Sequence, residues 1–257
     1  YSSLAYSRRA AAPGYLPNGE AIETTTQNRK LVVNNTLTFN KLIKGDHSLN
    51  SVIGQSFETS NEQLTSISSD NFPNDNILSI GATNYADRSV RSAITRKWAL
   101  TSYFARINYS FQNKYLAGIT YRLDGSSRFA KNNRYVGFPA FSLGWRLSEE
   151  NFMKNVEFIN DMKLRGSLGF SGIQGSGYTS YYGFQGQYVF TDSQYGNLGV
   201  LEYQQPPNPD LEWQRTKSVD VGLDISFWDS RLSLIVDYYY KRVNNLLFNS
   251  TVPYYYG

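Results

Sequence analysis

The fold of this chain is decided by residues 102–124, which read SYFARINYSFQNKYLAGITYRLD. Apolar and polar side chains alternate on both sides of a polar turn at residues 112–114. Successive side chains of a β-strand point to opposite faces, so this alternation predicts two antiparallel strands with one apolar face. That face carries Tyr103, Ala105, Ile107, Tyr109 and Phe111 from the first strand and Tyr115, Ala117, Ile119, Tyr121 and Leu123 from the second.

The same alternation recurs along the chain and predicts about eight strands. The clearest repeat pairs residues 217–227 with residues 231–242 across a turn at residues 228–230. Pro139 weakens the prediction for one strand, since proline belongs at the edges or bulges of a sheet. The predicted strands are residues 31–43, 48–58, 98–111, 115–124, 135–147, 162–171, 217–227 and 231–242.

The length and spacing of these strands favour a transmembrane β-barrel over a soluble sandwich. Soluble strands centre on about 5 or 6 residues, whereas a tilted spanning strand needs about 9 to 11. The connections are short at residues 44–47, 112–114 and 228–230, and long and polar at residues 59–97 and 172–216. Short periplasmic turns and long extracellular loops are typical of outer-membrane barrels. An interfacial aromatic belt is expected beside the short turns, at Tyr109, Phe111, Tyr115, Trp145, Phe227 and Trp228.

The composition argues against several other classes of protein. The 257 residues include no Cys and one His, His47, which argues against disulfide frameworks, thiol nucleophiles and His-rich metal sites. No apolar run approaches the roughly 20 residues that a transmembrane helix needs. The net charge is +4 with only 18% charged residues, which does not favour nucleic acid as a partner. We therefore expect no cofactor, no metal site and no enzymatic activity.

One connection on the short-turn side differs from the others. Residues 148–158 are predicted to form one short periplasmic helix, with Ser148 as its N-cap. Glu149 and Glu150 would then lie near the positive end of the helix dipole. Adjacent helical residues point apart, so helix capping is a simpler interpretation of these carboxylates than an acid/base pair.

Seven short sequence motifs are informative because they occur in a particular order along the chain. They are IGQSFE at residues 53–58, SYFARINY at 102–109, RLDGSSRF at 122–129, FPAFSLGWRLSEENF at 138–152, DMKLRGS at 161–167, NPDLEW at 208–213 and DYYYK at 237–241. The ordered series resembles the SusC/RagA family of TonB-dependent outer-membrane transporters of Bacteroidota, and the resemblance covers roughly residues 48–242. Two places depart from the family pattern: Ala105 stands where Gly is usual, and residues 171–174 differ from the usual Gly-Asn-Gln.

The resemblance implies a larger protein and its partners. It implies an antiparallel barrel of about 22 strands with an N-terminal plug, of which this chain would be roughly a third. Residues 1–257 are thus expected to form one partial barrel domain, with the plug, the TonB box and the other strands outside this chain. The resemblance also implies an outer-membrane location amid lipid and lipopolysaccharide, a TonB complex acting through the missing N-terminal region, and a SusD-like lipoprotein lid. Such transporters import bulky nutrients, either oligosaccharides or peptides.

Two sets of residues are candidate sites. Strand parity places charges of both signs toward the expected lumen, which suits a solvated cavity and plug docking through charge pairs. The loop at residues 172–207 is rich in aromatic side chains for contact with a ligand or the lid, although packing within the loop is the simpler alternative for each one. The predicted lumen-facing charges are Arg106, Arg122, Asp124, Arg146, Lys163, Arg165, Asp220, Asp224 and Asp237. The predicted contact residues are Tyr178, Tyr181, Tyr182, Phe184, Tyr188, Tyr195 and Tyr203, with Phe190 among them.

The sequence leaves two other functions open. The protein could be a structural or scaffolding subunit of a multi-protein outer-membrane complex, or a soluble β-rich glycan-binding module. The soluble module would need no lipid-facing apolar band, so solubility without detergent would distinguish it.

Overall fold

The computed structural model of the chain describes residues 2–7, 20–43, 45–70, 72, 79–83, 88–175, 181–195 and 198–247. Within these ranges the chain forms β-strands and three short 3-10 turns, and no helix among them is long and apolar enough to cross a membrane. The strands are β1 (Ser2–Ser7), β2 (Glu20–Ile43), β3 (His47–Asp70), β4 (Arg88–Phe111), β5 (Tyr115–Ser126), β6 (Tyr135–Arg146), β7 (Ile159–Ile173), β8 (Gln187–Tyr195), β9 (Leu198–Gln205), β10 (Gln214–Phe227) and β11 (Leu232–Asn244). The 3-10 turns are Ile80–Ala82, Lys131–Asn133 and Leu147–Glu149.

Nine strands form one sheet in the order β1-β2-β3-β4-β5-β6-β7-β10-β11. Strands adjacent in the sequence are adjacent in the sheet, except that β10 pairs directly with β7. The two strands that lie between them in the sequence, β8 and β9, form a separate two-stranded sheet. Pairing is antiparallel from β4 through β7 to β10 and β11. The predicted all-β antiparallel architecture is therefore confirmed, and all eight predicted strands are present in extended or slightly shifted form.

The chain divides into two compact units. The first comprises residues 1–31 and 58–98, and the second comprises residues 32–57 and 99–257. Polar side chains link strands within the first unit, where Ser60 Oγ donates to Asn28 Oδ1 at 2.9 Å. Its small apolar cluster consists of Ala21, Phe72 and Ile80. The second unit holds the strands that carry the recurring alternation.

Three strands are much longer than predicted. β2, β3 and β4 each contain 24 residues, and such a strand extends about 80 Å at roughly 3.3 Å per residue. The predicted loop at residues 59–97 is therefore wrong for much of its length, because β3 continues to Asp70 and β4 begins at Arg88. The short β1 was also missed. Polar and charged residues make up most of these extensions, so no apolar alternation marked them as strands.

The predicted helix at residues 148–158 is wrong. A 3-10 turn at Leu147–Glu149 is followed by further turns, and the Ser148 hydroxyl donates to Asp161 Oδ1 at 2.9 Å instead of capping a helix. Backbone N–H groups of Glu150, Met153 and Val156 each bond the carbonyl three residues earlier, at 3.0 Å. The segment is thus a series of four-residue turns, of which only Leu147–Glu149 is a 3-10 turn, and it is not an α-helix.

The predicted long loop at residues 172–216 is only partly correct, because it contains the β8–β9 hairpin. Pro139 does lie within a strand, opposite Tyr121 of β5. The described ladder between β6 and β7 begins at Ala140, one residue later. Pro139 therefore has a strand neighbour on only one side, which is the edge-like position that proline tolerates.

The burial pattern of the sheet is inverted relative to a soluble protein. One face of the second unit carries large apolar side chains that are mostly exposed, including Leu37 (73% exposed), Leu143 (69%) and Ile53 (64%). We call this the apolar face and the opposite one the polar face. Soluble proteins rarely expose a continuous apolar surface of this extent, so the apolar face requires an apolar environment.

Candidate functional site

The polar face is organised in rows of residues that lie directly opposite one another across the strands. One row runs through Asn108, Gly118, Ser142, Ser167, Asp220 and Tyr239. Small side chains predominate there, and a Cβ atom at Gly118 would lie 2.5 Å from Ser142 Oγ. All of these residues except Tyr239 line a concavity of about 370 Å³ on the polar face.

A cluster of charges borders this concavity, and we call it the Arg165 cluster. Arg165 Nη1 lies 3.0 Å from Asp220 Oδ1, and Arg165 Nε lies 3.3 Å from Asp224 Oδ1. Arg165 Nη2 also pairs with Asp237 Oδ1. One guanidinium thus serves three carboxylates, which leaves an excess of negative charge. The side chains are each about a third exposed, so solvent screens these pairs appreciably.

The other predicted charges form smaller contacts on the same face. Arg122 Nε bonds Asp124 Oδ1 at 2.7 Å, and Arg122 Nη2 donates to the buried Ser102 hydroxyl. Arg146 Nε lies 3.6 Å from Asp161 Oδ1. Arg106 donates to Thr120 Oγ1 at 3.3 Å, and Lys163 is opposite Asp224 in the ladder. Strand register thus gathers all nine predicted charges on the polar face, while their role as lumen lining stays a prediction.

A small buried core lies where β5, β6 and β10 meet the long connections. Its members, which we call the rim cluster, are Phe129, Val136, Phe138 and Trp213. The Trp213 ring stacks on Phe129 at 5.0 Å and meets Phe138 edge-on at 5.9 Å. Trp213 Nε1 donates to the Arg134 carbonyl at 3.1 Å. No local sequence pattern predicts this cluster, although Phe129, Phe138 and Trp213 come from three of the motifs that carry the family resemblance.

Polar contacts hold the start of the long connection to the same place. Ser126 Oγ donates to Gln174 Oε1 at 2.7 Å, and Arg128 Nη1 donates to the Gly175 carbonyl at 2.8 Å. The Arg128 guanidinium also lies 4.5 Å from the centre of the Tyr181 ring. Gln174, Gly175 and Tyr181 thus contact the turn after β5. Trp213, at the other end of the connection, packs beside the same turn.

The predicted contact residues in this connection have different environments. Tyr188 is 52% exposed, whereas Tyr181, Tyr182 and Phe184 are half-buried. Tyr178 lies outside the described residues, as do the side chains of Tyr195, Tyr203 and Phe190. The structure therefore separates Tyr181, which is held by Arg128, from Tyr188, which offers accessible surface.

Three of the aromatic residues predicted at the short turns, Phe111, Tyr115 and Trp145, form a row of neighbouring rings. Ring centroids are 6.3 Å apart for Phe111 and Tyr115 and 6.5 Å apart for Tyr115 and Trp145. Phe227 lies at the same end of the sheet, and its ring centroid is 5.8 Å from that of Trp228. Rings at one level suit the interface between membrane and water, where an aromatic body meets the apolar layer and its polar atom meets water.

Glu150 is the carboxylate that completes this aromatic row. Tyr115 Oη donates to Glu150 Oε1 at 2.6 Å, and Trp145 Nε1 donates to the same oxygen at 3.1 Å. Lys114 Nζ lies 3.7 Å from the other oxygen. The hydrogen bonds from Tyr115 and then Trp145, assisted by the positive charge of Lys114, hold the pKa of the Glu150 carboxyl below its ordinary value. The predicted helix-capping role of Glu150 is therefore wrong.

No group of three or more His, Asp or Glu side chains within the described ranges is arranged to hold a metal ion. The polar face instead offers a wet, mixed-charge wall, and the apolar face offers a hydrocarbon contact. This combination suits the wall of a large membrane barrel.

Comparison with known proteins agrees with that architecture. The family model described as "TonB dependent receptor-like, beta-barrel" matches residues 1–257. The chain belongs to this family. TonB-dependent receptor P26 of Formosa agariphila is 31% identical over 246 residues, which is 93% of this chain and 24% of the relative. SusC of Bacteroides thetaiotaomicron, also a TonB-dependent receptor, is 37% identical over 170 residues, which is 63% of this chain and 17% of the relative.

Solved structures show the same fold. The structure of the RagAB peptide transporter superposes on this receptor chain with a TM-score of 0.84 and 24% sequence identity. The superposition covers 99% of this chain and 28% of that one. The predicted SusC/RagA relationship is thus confirmed, and this chain spans about a quarter of the length of the relatives it matches.

Proposed function

We propose that this chain is part of the barrel wall of a TonB-dependent outer-membrane transporter that imports bulky nutrients, either oligosaccharides or peptides. The observation that carries the proposal is the division of the sheet into an accessible apolar face and a polar face lined by charges and small residues. Membership of the TonB-dependent receptor family supports the same conclusion. A SusD-like surface lipoprotein is proposed as the lid, and the TonB complex is proposed to act on a part of the protein outside this chain. No catalytic role is assigned.

Deletion of the gene in its native bacterium tests this function. We expect the full-length protein in the outer-membrane fraction, and we expect the deletion to abolish growth on one class of oligosaccharide or peptide as the nutrient source. Deletion of the TonB gene should cause the same loss. Unchanged growth on every oligosaccharide and peptide tested, with the remaining complex disassembled, would favour the alternative role as a structural subunit.

The long connection at residues 172–207 is the proposed site of contact with ligand or lid. Ser126 and Arg128 contact the described start of the connection at Gln174, Gly175 and Tyr181. Trp213, beyond its other end, packs in the rim cluster. These contacts support an ordered Tyr181 before binding. Preorganised aromatic surface loses little entropy when it binds a sugar ring or fills a partner's pocket. The proposed contact residues remain Tyr178, Tyr181, Tyr182, Phe184, Tyr188, Tyr195 and Tyr203.

Substitutions at two tyrosines distinguish contact with the ligand or lid, proposed for Tyr188, from anchoring of the connection, proposed for Tyr181. Tyr188→Ala should weaken ligand or lid binding about tenfold, because truncating an exposed aromatic contact typically costs about 1–2 kcal/mol. Tyr181→Ala should loosen the connection by removing the ring under Arg128. Binding of purified lipoprotein and of labelled ligand would measure the first effect, and hydrogen exchange at residues 174–188 would measure the second. Equal binding by Tyr188→Ala and the wild-type protein would remove Tyr188 from the site.

The proposed role of the polar face is to contact a plug domain through charge pairs. Its nine charges carry both signs, and the Arg165 cluster has more carboxylates than cations. That imbalance suits a plug surface with positive charge. The apolar face is proposed to contact lipid and, on the extracellular side, lipopolysaccharide.

A further inference from the structure

The segment between β6 and β7 changes faces at the short-turn end of the sheet. Ser148 donates to Asp161 Oδ1, and Asp161 also neighbours Arg146 on the polar face. Two residues later, Glu150 accepts hydrogen bonds from Tyr115 and Trp145, which lie opposite each other on the apolar face. The chain therefore crosses the end of the sheet from the polar face to the apolar face between Ser148 and Glu150.

The segment returns to β7 on that same apolar side. The Phe158 ring is parallel to the Phe227 ring, with an interplanar angle of 3° and a centroid distance of 6.3 Å. Phe227 is opposite Leu232 in the β10–β11 ladder. Leu234 and Val236, which lie on the same side of β11 as Leu232, continue the apolar face. Residues 151–157 are thus bounded by two anchors, Glu150 and Phe158, that both lie on the apolar side.

Apolar side chains project from this bounded segment into open space. Phe152 is 64% exposed, and Phe158, the residue just before β7, is 53% exposed. Exposed polar residues, Asn151 and Lys154, lie beside Phe152. A short segment that mixes exposed aromatics with Lys and Asn is typical of the headgroup region of a bilayer, where rings insert and polar groups remain wet.

The carboxylate of Glu150 is compatible with a position beside lipid. Its two oxygens are occupied by Tyr115, Trp145 and Lys114, so its charge is hydrogen-bonded and paired. A carboxylate satisfied in this way is tolerated at an interface where a bare one would be costly. Glu150 thus fixes the segment to the aromatic row while keeping it beneath the apolar face.

We propose that residues 150–158 form a membrane foot that rests on the periplasmic leaflet of the outer membrane and inserts Phe152 among its phospholipids. This inference rests on the proposed function, because it requires the apolar face to contact lipid and the short turns to be periplasmic. The foot is continuous with the apolar face through Phe158 and Phe227, which selects lipid over a periplasmic protein as its partner. It would fix the depth of the barrel wall in the membrane.

Nitroxide labels on the full-length protein test the foot. Phe152→Cys is introduced into an otherwise cysteine-free protein, labelled, and reconstituted into vesicles of phosphatidylethanolamine and phosphatidylglycerol. Power saturation then compares access of oxygen, which enters lipid, with access of a water-soluble nickel chelate. The label at residue 152 should be several-fold more accessible to oxygen than to nickel, while matched labels at Lys154→Cys and Asp229→Cys should favour nickel.

A label at Leu143→Cys, on the apolar face, distinguishes failure of the foot from failure of the lipid-facing barrel wall. If residue 143 is in lipid but residue 152 favours nickel, the foot is overturned and the barrel stands. If residue 152 is shielded from both probes, a protein covers it and the lipid proposal is likewise overturned. If residue 143 itself favours nickel, the spanning wall and the foot both fail.

Discussion

Trp213→Ala is expected to release the long connection at residues 172–213 from the sheet. The Trp213 ring is 2% exposed and packs on Phe129 and Phe138, so its removal leaves a cavity in a core of only four buried residues. Truncation of a buried Trp typically costs about 3–5 kcal/mol. The hydrogen bond from Trp213 Nε1 to the Arg134 carbonyl is lost as well.

Hydrogen exchange of the purified transporter measures this effect locally. The backbone N–H of Ser126, which donates to the Arg134 carbonyl, and that of Leu211, which donates to the Asn208 carbonyl, report on the rim cluster. Exchange at these amides should accelerate about 100-fold or more, since each 1.4 kcal/mol of local stability is roughly a factor of ten. Global melting should change much less, because the long ladders of the barrel remain.

Trp228→Ala is the matched control for this prediction. It removes the same side chain from the β10–β11 turn, where the ring is 58% exposed. Exchange at Ser126 and Leu211 should remain at the wild-type rate in this variant. Wild-type exchange in Trp213→Ala would show that the rim cluster does not hold the connection.

The regular part of the fold was predictable because the membrane imposes a strict pattern. Alternation of Tyr103, Ile107 and Tyr121 with polar neighbours identified β4 and β5, and the same rule found β10 and β11. One face must be apolar along the whole depth of the hydrocarbon, so the period of two persists for several residues. The turn at residues 112–114 followed from its polar residues, two of which, Gln112 and Asn113, adopt positive φ angles.

The pattern failed where that constraint ends. Residues 20–30 of β2, residues 59–70 of β3 and residues 88–97 of β4 carry polar side chains on both faces, so hydropathy could not distinguish them from loops. These segments belong to strands that pair with neighbouring strands in the nine-stranded sheet. Strand pairing between distant residues is a tertiary property that a single sequence does not display.

The candidate site shows the same division between local and tertiary information. Parity predicted the face on which Arg122 and Asp124 lie, because facing depends only on strand period. The meeting of Phe129, Phe138 and Trp213 depends on how a long connection returns, which no local pattern specifies. Glu150 was assigned to a helix because its neighbours suit capping, whereas its actual partners, Tyr115 and Trp145, come from two other strands.

Arg165→Glu is expected to be the most destabilising charge change on the polar face. It would replace the guanidinium that pairs with Asp220, Asp224 and Asp237 by a fourth carboxylate. Each group is about a third exposed, so screening reduces the repulsion well below that of a buried cluster. We expect a lower unfolding temperature in detergent at low salt, with much of the loss recovered at high salt because ions screen the repulsion.

Arg106→Glu makes the same change in net charge on the same face and provides the control. Arg106 donates to Thr120 Oγ1 and has no ion pair among the residues that the structure describes. Its reversal should therefore cost less than about 1 kcal/mol and depend less on salt. Addition of Asp237→Asn to Arg165→Glu should restore part of the stability, because it removes one of the repelling carboxylates. Equal losses for Arg165→Glu and Arg106→Glu would mean that net charge, rather than the geometry of the Arg165 cluster, governs the stability of this wall.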